Sequence, residues 1–77
     1  MNVTTQFSFD FGKDTDLFYA LLCEEDFDFK TKHISLEIVK NANIVHLTIV
    51  AQSFIDCKIA VSAVLKSVEI IEKTKHV

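Results

Sequence analysis

The chain has no proline, no tryptophan and no arginine, and it has only one glycine, Gly12, in 77 residues. The lack of proline, with glycine reduced to one, excludes a linker-like, collagenous or low-complexity chain. One glycine also cannot build a phosphate-cradling loop or a nucleophile elbow, which removes the common sequence signatures of nucleotide binding and hydrolysis. Because all eight basic residues are lysine, the guanidinium fork used for bidentate phosphate and guanine recognition is missing. The balance is acidic, with a net charge of −3. No apolar run approaches the roughly 20 residues that span a bilayer, and no signal peptide precedes the first strand pattern, so a soluble, cytoplasmic protein without membrane contact is expected.

Only two cysteines occur, Cys23 and Cys57, each within an apolar helical pattern. Both are expected to be reduced, buried and unreactive. His33, His46 and His76 stand at no metal-ligand spacing with them or with one another, so no metal is predicted. No cofactor is predicted either. A core of this size commonly draws on a disulfide, a metal or a partner subunit, and of these the pattern leaves oligomerisation.

What is present is apolar and periodic: 49% of the residues are hydrophobic, enough to drive folding, and seven of them are phenylalanine. From Val3 to Phe11 the odd positions read Val, Thr, Phe, Phe, Phe and the even ones Thr, Gln, Ser, Asp, the two-residue period of a half-buried strand. Phe7 and Phe9 are expected on its buried face. Gly12 ends the strand, Asp14 is a candidate N-cap, and Leu17, Phe18, Leu21 and Leu22 form the apolar stripe of a short helix ending near Cys23 or Glu24. Glu24, Glu25, Asp26 and Asp28 would oppose the dipole of a longer helix and read as a solvated loop, anchored by Phe27 and Phe29.

Ile34, Leu36 and Ile38 alternate with polar residues between Thr31 and Val39. Val45, Leu47 and Ile49 do the same between Ile44 and Ala51, predicting an antiparallel hairpin about a turn at Lys40-Asn41-Ala42-Asn43. His33 and His46 are then expected to meet across the hairpin's polar face. Ser53, with Asp56 three residues on, starts a final helix running to about Lys73. The fold class is therefore α+β: a single domain over residues 1–77, ordered strand, helix, strand, strand, helix, with a three-stranded antiparallel sheet and two helices on one face.

At about 100° per residue the final helix carries two apolar stripes. Phe54, Cys57, Val61, Val64, Leu65, Val68 and Ile71 are assigned to the sheet. Ile59, Ala63 and Ile70 form a narrower line that a small domain has no second layer to cover. With Ile55 they are the candidate partner-binding residues. Lys30, Lys32 and Lys58 are candidate RNA contacts, a weak footprint beside eleven carboxylates. No catalytic residues are assigned, because the carboxylate pairs fall only in the acidic loop.

The Phe-rich first strand, the segment Asp14 to Leu22, the hairpin and above all the stretch from Ser53 to Leu65 resemble the Pcc family, the small dimerising subunit of the KEOPS complex. Lys58 stands where that family usually has arginine, and Ser62-Ala63 where it has an Asn-Ser-like pair, departures a diverged paralogue would carry. The resemblance implies a non-catalytic subunit that dimerises with itself or with a paralogous small subunit. It also implies helices that pack on the catalytic threonylcarbamoyltransferase subunit, with tRNA contacted through the complex that modifies its anticodon-loop adenosine. The alternative from the residues alone is a stand-alone nucleic-acid-binding or regulatory homodimeric module.

Overall fold

The computed structural model describes residues 1–25, 27, 29 and 33–75. Strand β1 spans Val3–Asp10, helix α1 Thr15–Glu24, strand β2 Ser35–Asn41, strand β3 Ile44–Ala51 and helix α2 Phe54–Lys75. The class is α+β in the expected order. The sheet is antiparallel with strand order β1-β3-β2, so β3 is its centre and both β1 and β2 are edges. Both helices lie on one face, α2 over β1 and β3, and α1 over β2 and β3. Among the described residues no helix is long and apolar enough to cross a membrane.

The two-residue period of each strand decides what lies under the helices. On β3, Val45, Leu47, Ile49 and Ala51 are fully buried, while His46, Thr48 and Val50 face the open side and are half-buried. The odd residues of β1 point the same way, and Phe7 and Phe9 are half-buried there because β1 is an edge. Their rings begin an aromatic ladder. Centroids are 6.2 Å apart for Phe7 and Phe9, 5.5 Å for Phe9 and Phe11, and 3.9 Å for Phe11 and the buried Phe18 of α1.

The entry to α1 is fixed by side chains on both sides of Gly12, which takes a left-handed φ of 60°. The Gly12 N–H donates to Asp10 Oδ1 at 2.9 Å. Asp14 occupies the N-cap position, but its side chain makes no capping hydrogen bond. The buried Thr15 hydroxyl lies 2.8 Å from the Gly12 carbonyl and 2.9 Å from the Asn43 carbonyl, so its single proton serves two acceptors. That places the start of α1 on the hairpin turn. At the other end, the acidic run ends the helix at Glu24 as predicted, and Phe29 is buried with Phe27 stacked on it at 5.2 Å. Asp26 and Asp28 lie outside the described residues.

Four expectations need correction. First, α1 buries Thr15, Phe18 and Leu22, a face set by their i, i+3 and i+7 spacing. Leu17 and Leu21 are exposed on its flank. Second, Cys23 is exposed, one residue past the buried Leu22 on the helical wheel, whereas Cys57 is buried as expected. Third, the hairpin turn is shorter than read. Lys40 and Asn41 belong to β2, and only Ala42-Asn43 link the strands, with Ala42 at φ 56°. His33 precedes β2 in a left-handed conformation (φ 55°) and does not meet His46, whose cross-strand neighbours are Ser8 and Val39. Fourth, α2 rests on the sheet through Cys57, Ala60, Val64, Ser67 and Val68, leaving Phe54 and Leu65 exposed. The buried Ala60 and Ser67 are small, which lets the helix approach the sheet closely.

Candidate interaction surface

α2 begins at Ser53, whose hydroxyl accepts from the Asp56 N–H at 3.1 Å while its carbonyl takes the Cys57 N–H at 3.0 Å. With Cys57, Ala60 and Val64 turned to the sheet, Ile55 and Ile59 on the same helix reach solvent; Ile55 is 73% exposed. Ile70 is likewise exposed, but Ala63 is half-buried and packs against the core. The predicted second stripe therefore exists through Ile55, Ile59 and Ile70, with Ala63 as its inner margin.

The stripe leads into a groove that the sequence did not reveal. Since α1 follows β1 and α2 follows the antiparallel β3, the two helices return across the sheet in opposite directions. The displaced Leu17 and Leu21 of α1 then face the last turns of α2. Leu17, Leu21, Ile70, Ile71 and Thr74 line a depression of about 400 Å³. Its one polar lining residue, Thr74, spends its hydroxyl on the Ile70 carbonyl at 2.9 Å. The walls are thus almost purely apolar, a surface that water solvates poorly. A signal was available in the sequence: Leu17 and Leu21 are i, i+4, as are Phe18 and Leu22, and one narrow helix cannot bury both pairs against a single sheet.

Polar groups lie elsewhere. Lys40 pairs with Asp16 and places its ammonium 5.9 Å from the Tyr19 ring centroid, closing the β2 side of α1. Lys73 and Glu69 form an i, i+4 pair at 2.9 Å on the outer face of α2. Each holds the other charged, with the hydrogen bond as the first cause: Glu69 titrates lower and Lys73 higher than usual. Lys58 is exposed on that outer face, while Lys30 and Lys32 lie outside the described residues. On the open side of the sheet, Ser8 Oγ and His46 Nδ1 are 2.9 Å apart on a flat surface. Among the described residues no group of three His, Cys, Asp or Glu side chains could hold a metal ion.

Comparison with protein-family models, with curated proteins and with solved structures finds no match to this chain.

Proposed function

We propose that this chain is a non-catalytic structural subunit that holds a larger protein partner in the groove between α1 and α2. In line with its resemblance to the Pcc family, the partner is the catalytic threonylcarbamoyltransferase subunit of a cytoplasmic KEOPS-type assembly. Modification of the tRNA anticodon-loop adenosine is then the work of that partner, and tRNA meets this chain only through the complex. The small subunit also pairs with itself or with a paralogue.

The observation that carries the reading is the groove. Leu17, Leu21, Ile70 and Ile71 form an apolar channel between two helices, its single polar lining residue, Thr74, already donating its proton to the Ile70 carbonyl, and Ile59 and Ile55 are exposed on the same helix as Ile70. A helix with its own apolar stripe fits such a channel.

The test is Ile70→Asp together with Ile59→Asp, assayed by circular dichroism and by binding to the catalytic subunit. Both residues are exposed in the free chain, so the fold is retained. In the complex an unpaired carboxylate is buried at a cost of several kcal/mol, a loss of about two orders of magnitude or more in affinity. Folded variants that bind the catalytic subunit as well as the parent chain would remove the groove from the interface.

A further inference from the structure

A charge is set into the apolar stripe of α2. At about 100° per residue, the exposed Ile55, Ile59 and Ile70 fall within an arc of about 60° around the helix. Lys66 falls inside that arc, two turns after Ile59 and one turn before Ile70, and it too is exposed. Among the described residues its ammonium forms no salt bridge and no hydrogen bond. Glu69, the carboxylate nearest to it in sequence, is held by Lys73 at 2.9 Å. The other ion pair, Lys40 with Asp16, closes the β2 side of α1, away from the groove.

Water solvates this ammonium in the free chain. A partner that covers both Ile59 and Ile70 spans eleven residues of α2, about 16 Å of helix, and passes over Lys66 on the way. An ammonium covered without a counter-charge opposes association, because the water it loses is not replaced. Bending outward does not relieve it fully. On that side stands Lys73, a like charge whose carboxylate is already engaged.

We infer that Lys66 selects the partner: the element seated on the stripe is a helix carrying an aspartate or glutamate between its apolar side chains, and that carboxylate pairs with the Lys66 ammonium. A purely apolar helix fits the walls of Leu17, Leu21, Ile70 and Ile71 as well but leaves Lys66 covered and unpaired, so the lysine discriminates against it. The chain's net charge of −3 gives an acidic helix no general attraction. The pairing is therefore local, and it fixes the register in which the partner helix lies along α2. This inference rests on the groove reading of the function above and adds the chemistry of the partner to it.

Calorimetric titration of the full chain with the catalytic subunit tests it, with circular dichroism as the control for folding. Lys66→Met keeps the length, the apolar stem and the helix propensity and removes only the charge. If a carboxylate faces Lys66, this variant leaves that carboxylate buried and unpaired, and affinity is expected to fall about thirtyfold or more. Lys66→Arg is expected to bind within a few-fold of the parent chain. Lys66→Glu is expected to lose binding, and replacing one acidic residue of the catalytic subunit by lysine is expected to restore it. Lys66→Met binding as tightly as the parent, or more tightly, overturns the inference, since the stem then only packs while the ammonium reaches water. Failure of every such acidic-to-lysine replacement to rescue Lys66→Glu overturns it as well. Ile59→Asp and Ile70→Asp run alongside separate the two readings: if they lose binding while Lys66→Met keeps it, the groove stands and the role of Lys66 falls. A parent chain that does not bind the catalytic subunit removes both.

Discussion

Thr5 Oγ1 and Cys57 Sγ lie 2.9 Å apart, joining the first strand to the first turn of the last helix across 52 positions of sequence. The contact is part-buried and links the two elements that border the free sheet edge. Thr5→Val keeps the shape and removes the hydroxyl, so it should lower stability by about 0.5–1.5 kcal/mol in denaturant unfolding. A cost near zero would mean that the thiol contributes only by packing.

The same environment separates the two thiols. Under native conditions a thiol reagent should modify Cys23, which is exposed, and spare Cys57 until the protein unfolds. Mass spectrometry of the partly labelled chain reads the answer directly. Fast labelling of Cys57 would contradict the packing of α2 on β1.

The aromatic ladder predicts a graded response. Phe18 is 4% exposed and closes the ladder against α1, so Phe18→Ala should cost about 3–5 kcal/mol. Phe9→Ala should cost less, because Phe9 is half-buried on an edge strand. Equal costs in chemical denaturation would show that Phe9 is more deeply covered in solution than its place on an edge strand gives.

Ala42 adopts φ 56°, a conformation that costs an L-residue with a Cβ about 1–2 kcal/mol, in part offset by the smaller backbone entropy it loses on folding compared with glycine. Ala42→Gly should therefore raise stability by about 0.5–1 kcal/mol. A lowered thermal midpoint would rule out the left-handed turn.

The Glu69–Lys73 pair gives the pH dependence a sign. Glu69 titrates below its ordinary value in the folded chain, so its contribution is present above the unfolded value and fades as pH falls through the folded one. Lys73 titrates above its ordinary value, so its share is present below the unfolded value and fades as pH rises through the folded one. Both groups are exposed, and salt should screen the effect at either end. The difference between the parent chain and Glu69→Gln should shrink at acid pH and at high salt.

The strands were legible in the sequence because a period of two admits a single buried face, and Val45, Leu47 and Ile49 left no choice of register. The C-terminal end of α1 was legible for a different reason, the charge run at Glu24 and Glu25. The helices' rotation was harder to read. Leu17 and Leu21 compete with Phe18 and Leu22 for the same sheet, and it is Phe18 and Leu22, on the face of the buried Thr15 that is anchored to Asn43, that turn inward. On α2, bulk pointed to Phe54 and Leu65, whereas close packing selected Ala60 and Ser67. The groove lay outside the reach of periodicity, since it joins residues some fifty positions apart that no single element brings together. The left-handed Ala42 was hidden for a simpler reason: alanine does not advertise a positive φ.

The placing of β3 between its neighbours has a kinetic consequence. β2 and β3 meet through a two-residue link and can zip together early, whereas β1, though made first, must wait for that hairpin and then close a loop that contains all of α1. Substitutions at the turn, Ala42→Gly among them, should therefore act mainly on the refolding rate. Those in β1, such as Phe9→Ala, should act mainly on the rate of unfolding. Stopped-flow chevrons of the two variants would reveal the order of assembly, and a refolding limb slowed by Phe9→Ala would put the first strand in the nucleus instead.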